Sequence, residues 1–139
     1  SGTDPSAVAP ARPGLDAGLV VTQKASIDLA ARLRLLAQPV SLFTSETSDG
    51  QEDYMSMAIP ALTRLEEMAQ LCRAMLAYEL LAGLTAVRLR AQSPGDGVLA
   101  VLEYFESLIA PLEKDRPLAV DVETILQQFD HPGFVNLTR

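Results

Sequence analysis

The stretch that decides the fold is "LCRAMLAYELLAGLTAVRL", residues 71 to 89. It lies inside a longer segment, about residues 54 to 92, which we predict to be one helix because apolar residues recur in it at helical spacing. Within residues 71 to 89 the apolar side chains cover nearly the whole circumference, interrupted by a few polar residues such as Arg73 and Glu79. A helix that is apolar on all faces must be surrounded by other elements.

This helix is too long and too apolar for one small chain to cover. At about 39 residues it spans about 58 Å, since an α-helix rises about 1.5 Å per residue, and a chain of 139 residues has room for few other helices. We therefore expect the rest of its cover to come from other chains or from missing parts of a longer protein. Glu79 would then be a buried charge that needs an Arg or Lys partner from another helix. Cys72, in the same run, is predicted to be a small buried hydrophobe.

The composition also favours a helical protein. Apolar residues make up 48% of the chain and aromatic residues 5%, with no Trp, and a chain rich in Ala and Leu favours helix over sheet. The net charge is -7 and the sequence pI is about 4.6, so the surface repels phosphate and we expect no nucleic-acid partner. The single cysteine excludes an internal disulfide framework and a Cys-based zinc site, and we predict no bound metal.

Two patterns bear on where the protein works. The sequence has no run of 18 apolar residues without charge, so we expect no membrane partner. The N-terminal residues lack the basic, apolar and small-residue layout of a signal peptide. We therefore expect a cytoplasmic protein.

The rest of the chain divides into a lead-in and further helices, which makes the predicted fold class an all-α, long-helix bundle. Residues 1 to 14 are rich in proline and predict an extended lead-in from a missing upstream part. The helices predicted within residues 15 to 139 are about 15–38, 54–92, 98–112 and 120–129.

Local signals predict several helix ends. Pro39 ends the first helix, Asp121 is a candidate N-cap of the fourth, and Pro132-Gly133 is predicted to stop that helix. The tail "VNLTR", residues 135 to 139, is expected to be unstructured or docked elsewhere.

The candidate chemistry lies in "GQEDYMSM", residues 50 to 57, because the chain has no phosphate-binding glycine loop, no HExxH and no Ser/His/Asp set. The stretch has two interpretations. Asp53 can cap the long helix and Glu52 suits the positive end of its dipole. Alternatively, a carboxylate beside Gln51 at the mouth of a helix bundle can hold a ligand amine or imidazole.

The longer stretch "GLDAGLVVTQKASIDLAARLRLLAQPVSLFTSETSDGQEDYMSM", residues 14 to 57, resembles the histidine and aromatic amino acid ammonia-lyases. That family has a Gly-Leu-Asn-Ser-Gly-like helix opening, followed by Thr-Ser-x-Asn-Gln-Glu-Asp-His-Val-Ser-Met at the start of a long helix. The later "MLAYELLAGLTAV" also resembles the family's apolar helix. The matching residues are Gly14, Leu15, Gly18, Gln23, Thr47, Ser48, Gln51, Glu52, Asp53, Ser56, Met57, Tyr78 and Glu79.

The resemblance implies a fold, an assembly and a reaction. The family's fold is mainly helical, and its homotetramer is built around a central bundle of long helices. Its reaction removes ammonia from an L-amino acid substrate and leaves a trans-α,β-unsaturated acid. The electrophile is 4-methylidene-imidazol-5-one, a ring formed from an internal Ala-Ser-Gly, and active sites are shared between subunits.

The resemblance also implies roles for individual residues. Glu52 matches a carboxylate that lines the substrate pocket, so it is the candidate catalytic and substrate-binding residue; a carboxylate can accept a hydrogen bond from an imidazole N–H or an ammonium. Gln51 is the second candidate substrate-binding residue. Three positions depart from the family pattern, namely Gly50 and Asp16 in place of Asn and Tyr54 in place of His. These departures weaken the assignment to histidine, which stays favoured, and they leave another aromatic amino acid, or an aminomutase reaction, as alternatives.

The cofactor tripeptide is absent from this sequence, which contains no Ala-Ser-Gly. The resemblance therefore implies that the chain is the C-terminal portion of a longer lyase and that it holds no cofactor-binding residue of its own. We expect the isolated chain to be inactive and to self-associate through residues 71 to 89. The alternative is a helical assembly module without chemistry, in which Gln51 to Asp53 only cap a helix.

Overall fold

The computed structural model contains the predicted helices in the predicted order, and one more. It describes residues 15–90 and 93–137; the predicted lead-in, residues 1 to 14, lies outside them. The helices are α1 (Val20–Leu36), α2 (Ala58–Leu89), α3 (Asp96–Glu106), α4 (Ala119–Gln128) and α5 (Pro132–Leu137), with a 3-10 turn at Val40–Phe43. The described residues form no β-strand, so the predicted all-α class is confirmed.

Helix α2 is the long helix that the sequence predicts. It has 32 residues and spans about 48 Å at about 1.5 Å per residue. Pro60 lies in its first turn, where a missing N–H costs no intrahelical bond. None of the helices in the described part of the chain, α2 included, is long and apolar enough to cross a membrane.

Helix α1 runs antiparallel to α2. The C-terminal end of α1 contacts the first turns of α2. There, Arg64 Nη1 donates to the Gln38 carbonyl oxygen at 2.9 Å, and Arg32 Nη2 lies 3.4 Å from Glu67 Oε1. The helix begins at Val20 rather than at residue 15, because Gly18 has a φ of 59°. That left-handed conformation breaks any helix before it.

The segment before α1 is tied to the loop between α3 and α4. The Asp115 carboxylate accepts the backbone N–H of Ala17 at 2.7 Å and that of Gly18 at 3.0 Å. In return, the Asp115 N–H donates to Oδ1 of the buried Asp16 at 3.3 Å. These bonds satisfy backbone donors that have no partner within a helix.

The hydrophobic core lies where the C-terminal half of α2 meets α3 and α4. Its largest fully buried side chains are Phe105, Ile109 and Ile125. Phe134 of α5 packs edge-on against Phe105, with ring centroids 5.5 Å apart. The rest of the core cluster consists of Ala77, Leu81, Leu84, Leu102 and Val122.

Another face of α2 is exposed along most of the helix, and we call it the seam. Two of its leucines, Leu65 and Leu76, are 60% and 55% exposed. Apolar residues that recur alternately every three and four positions are typical of a helix that packs along a second helix, and most seam positions are apolar. The seam consists of Leu62, Leu65, Ala69, Cys72, Leu76, Glu79 and Gly83.

Two predictions for α2 are wrong for the single chain. Cys72 is exposed rather than buried. Glu79 is also exposed, and it forms no salt bridge with any of the described residues. Both residues belong to the seam, and both predictions presuppose that other chains, or missing parts of a longer protein, cover α2 on its remaining sides.

Four predictions near the C-terminus also need comment. Asp121 is not an N-cap, because α4 begins at Ala119; it is buried and pairs with Arg116. Helix α4 ends at Gln128, before Pro132-Gly133 as predicted, but these two residues also begin α5, since proline is favoured in a first helical turn. Residues 135 to 137 of the tail are therefore helical. The third helix ends at Glu106 rather than near residue 112.

Candidate active site

The loop between α1 and α2 closes on itself through its own hydrogen bonds. Thr47 and Glu52 exchange both backbone bonds, with N···O distances of 3.0 Å from Thr47 N and 3.2 Å from Glu52 N. Three residues farther from the tip of the loop on each side, Thr44 Oγ1 donates to the Met55 carbonyl oxygen at 2.8 Å. The candidate residues thus lie in a defined hairpin-like turn and not in an open loop.

Asp49 and Gly50 form the tip of this turn. The Gln51 N–H donates to the Ser48 carbonyl oxygen at 3.1 Å, so Asp49 and Gly50 are the two central residues. Their φ angles are 53° and 78°. Ser48 before them also has a positive φ, of 57°, so three successive residues are left-handed. Asp-Gly is a preferred pair where the two central residues of a hairpin turn need positive φ.

The Glu52 carboxylate is held from within the loop. Thr47 Oγ1 donates to Glu52 Oε2 at 3.0 Å, and the Glu52 side chain is otherwise exposed. No described residue donates to its other oxygen, Oε1. The arrangement leaves one carboxylate oxygen able to accept a hydrogen bond from a ligand.

The interpretation of Gln51 to Asp53 as a helix cap is wrong. Helix α2 begins at Ala58, and its N-cap, Met57, makes no side-chain capping bond. The nearest side-chain acceptor is Ser56, whose Oγ accepts the Ala58 N–H at 3.4 Å. Glu52 and Asp53 therefore lie in the loop before the helix, and capping does not account for them.

The neighbours of Glu52 are open to solvent. Gln51, Asp53 and Tyr54 are all exposed in the single chain. Gly50, which stands where the resembling family has Asn, adopts a positive φ. Asn is among the few non-glycine residues that tolerate this conformation, so the departure at Gly50 removes a side chain without requiring a different backbone.

A groove of about 610 Å³ runs between α1 and α2, away from Glu52. Apolar residues such as Met75 and Leu76 line it together with Gln23 and Glu79. Within residues 15–90 and 93–137, no group of three His, Cys, Asp or Glu side chains is placed to hold a metal ion.

Glu52 is a candidate from the sequence, whereas its hydrogen-bond partner Thr47 has no role predicted from the sequence. The signal that could have found Thr47 is the Asp49-Gly50 pair. Such a pair predicts a two-residue hairpin turn, and counting outward from it pairs residue 47 with residue 52. Two paired residues of a hairpin point to the same face, which brings the hydroxyl to the carboxylate.

The sequence and the helical fold together assign this chain to a known class of helical enzymes. The sequence model of the family described as "Aromatic amino acid lyase" matches residues 2–107. The chain therefore belongs to the aromatic amino acid lyase family, as its resemblance predicts.

Individual relatives agree with this assignment. The chain is 34% identical over 118 residues to the histidine ammonia-lyase of Myxococcus xanthus, a match that covers 84% of this chain and 23% of that relative. It is 33% identical over 127 residues to the histidine ammonia-lyase of Stigmatella aurantiaca, covering 91% of this chain and 25% of that protein. The chain thus spans about a quarter of the length of these relatives.

A solved structure shares the fold. The crystal structure of histidine ammonia-lyase from Trypanosoma cruzi matches with a TM-score of 0.76 at 23% sequence identity. The match covers 82% of this chain and 23% of that chain. The helical arrangement is therefore that of an ammonia-lyase, over the part of the fold that this chain provides.

Proposed function

We propose that this chain is the C-terminal helical portion of a longer ammonia-lyase and supplies Glu52 to its active site. The enzyme removes ammonia from an L-amino acid, with histidine favoured as substrate, and leaves a trans-unsaturated acid. The observation that carries the proposal is the presentation of the Glu52 carboxylate on a closed turn in a chain that belongs to the aromatic amino acid lyase family. The similar proteins named histidine ammonia-lyase support histidine over other aromatic amino acids.

Glu52 is the residue to which we assign direct contact with substrate. Its Oε1 accepts a hydrogen bond from the substrate ammonium or from an imidazole N–H, and a charge-assisted bond of this kind is both short and directional. Gln51 follows the tip of the same turn, and its exposed amide can donate to or accept from the substrate. We assign Gln51 to orienting the substrate and leave Asp53 without a catalytic role.

The cofactor of this family cannot form within the chain, since the sequence has no Ala-Ser-Gly. A methylidene-imidazolone ring would come from the upstream part of the longer polypeptide, where it would supply the electrophile. The residues of this chain do not fit the role of holding that ring covalently. Their contribution is to bind and orient the amino acid substrate.

The seam supports a homotetramer as the assembled state. It leaves large apolar side chains such as Leu62 and Leu65 exposed in the single chain, and exposed apolar surface of this kind marks association sites. The same feature favours the second candidate, an assembly module without chemistry. The two candidates differ in whether Glu52 takes part in turnover.

The first experiment is to isolate the polypeptide that carries this sequence in its source cell and measure its intact mass. We expect a product of several hundred residues that contains an upstream Ala-Ser-Gly and releases ammonia from L-histidine. The purified 139-residue chain should show no turnover. Turnover by that chain, or a source-cell product of 14.9 kDa, would contradict the proposal.

Glu52 is then tested by substitution in the active polypeptide. We expect Glu52→Ala to lower the rate by several powers of ten while the tetramer persists. Glu46→Gln is the matched control, because Glu46 is an exposed carboxylate of the same loop. Normal turnover by Glu52→Ala would favour the assembly module, and a β-amino acid product would identify an aminomutase.

A further inference from the structure

Among the described residues, the Thr47 hydroxyl is the group that donates a hydrogen bond to the Glu52 carboxylate. The Oγ1–Oε2 distance is 3.0 Å, and the two residues are also joined by a pair of backbone hydrogen bonds. We propose that Thr47 is a positioning residue: it holds Glu52 Oε2 so that Oε1 is presented to the substrate amine or imidazole. This inference rests on the proposed function of Glu52.

An exposed glutamate needs such a partner to act as a precise acceptor. A free Glu side chain samples many rotamers, and ordering it costs conformational entropy. A carboxylate that is ordered before the substrate arrives keeps the geometry that the reaction needs. The Thr47 hydroxyl supplies this order from within the loop, without help from another element.

The turn makes the contact specific to one register. Because Thr47 and Glu52 exchange both backbone bonds, their side chains leave the hairpin on the same face. A slip of one residue would move one of the two side chains to the other face. The positive φ angles of Ser48, Asp49 and Gly50 turn the chain so that hydroxyl and carboxylate come together in this register.

A second threonine of the same loop has a different role and provides a control. Thr44 Oγ1 donates to the backbone carbonyl of Met55 at 2.8 Å. Its hydroxyl therefore stabilises the loop without touching Glu52. Thr63, on the exposed surface of α2, donates to the Ile59 carbonyl oxygen at 3.2 Å and provides a control outside the loop.

The test uses the intact, active polypeptide and compares Thr47→Val with Thr47→Ser. Valine keeps the branched shape of threonine and removes the donor, so kcat/KM with L-histidine should fall by about 10- to 100-fold, as expected for a misplaced catalytic group. Serine keeps the hydroxyl and should return the rate close to that of the parent protein. Thr63→Val should leave the rate unchanged.

Two comparisons separate this inference from the proposed function. If Glu52→Gln sharply lowers kcat/KM while Thr47→Val keeps the parent rate, the positioning role is overturned and the proposed function stands. If Glu52→Gln keeps the parent rate, both fall. Thr47→Val in a Glu52→Gln background should cause no further loss, because the hydroxyl acts through the carboxylate. Additive losses of kcat/KM in the double variant would assign Thr47 to loop stability and overturn the inference. So would a loss in Thr44→Val equal to that in Thr47→Val, if Thr47→Ser did not restore the rate.

Discussion

Gly50 is the residue at which the loop turns back toward Glu52, and its φ of 78° restricts what can replace it. A β-carbon built on Gly50 would meet Glu46 Oε2 at 3.6 Å, an ordinary contact, so backbone conformation and not space sets the restriction. For Gly50→Val we expect the turn to be weakened by about 1–2 kcal/mol, the cost of left-handed backbone for an L-residue. The measurement is hydrogen exchange of the Glu52 N–H, which should become about 5- to 30-fold faster.

Gly50→Asn is the control for this prediction. Asn tolerates the left-handed region because its short polar side chain can bond locally. It also restores the residue that the resembling family has at this position. We expect exchange of the Glu52 N–H to remain slow in Gly50→Asn, and equal protection in the Val variant would show that φ at Gly50 does not control the turn.

At the scale of elements, a single ion pair fastens the start of α4 to the loop before it. Arg116 Nη1 lies 2.5 Å from Asp121 Oδ2, and Arg116 Nη2 donates to the Ala110 carbonyl oxygen at 2.8 Å. The Asp121 side chain is 8% exposed, so Arg116→Met leaves a buried carboxylate without its cation. We expect the free energy of unfolding, measured by urea denaturation, to be about 3–5 kcal/mol lower in this variant than in the parent protein.

Arg32→Met provides the comparison. Arg32 pairs with Glu67 at 3.4 Å, and both side chains are about half exposed. Exposed pairs of this kind contribute at most about 1 kcal/mol. Equal losses from the two substitutions would mean that burial of Asp121 does not set the energy of its ion pair.

The helices themselves were predictable because periodicity records which residues face a core. Helix α4 was predicted at about 120–129 and is observed at Ala119–Gln128. The ends were harder to predict. Asp121 has the residue type of a cap, but whether it caps a helix or binds Arg116 depends on a contact that the helical period does not encode. Likewise, Pro132-Gly133 can end one helix or begin another, and the Gly133 N–H finds its acceptor in His131 Nδ1 at 3.1 Å.

For the candidate site, the sequence names residues but not their geometry. Glu52 and Gln51 could be named from the sequence, and both lie at or next to the closing pair of the turn. The sequence predicted that α2 begins at about residue 54, directly after them, whereas it begins at Ala58. The reason is that residues 54 to 57 are compatible with a helix, whereas the turn at Asp49-Gly50 and the Thr44–Met55 bond hold them outside it.

At the scale of the whole molecule, α2 has one face that packs against this chain and one that stays exposed. Ala77, Leu81 and Leu84 face the core that this chain builds with α3 and α4. Leu76 and Glu79, on the seam, find no such cover within the described residues. The apolar circumference of residues 71 to 89 thus has a physical explanation in two parts: one side stabilises the fold, and the other is available for association.

Leu76→Glu tests the second part in the assembled protein. Leu76 is 55% exposed in the single chain, so the substitution should leave the helical signal in circular dichroism unchanged. In an assembly that covers the seam, the new carboxylate is buried without a partner at a cost of about 3–5 kcal/mol, which should weaken association by at least about 100-fold. Sedimentation velocity should therefore show smaller species. Val120→Glu is the control, because Val120 is 69% exposed on α4, outside the seam, and should keep the parent assembly. An unchanged sedimentation coefficient for Leu76→Glu would mean that the seam does not form the subunit interface.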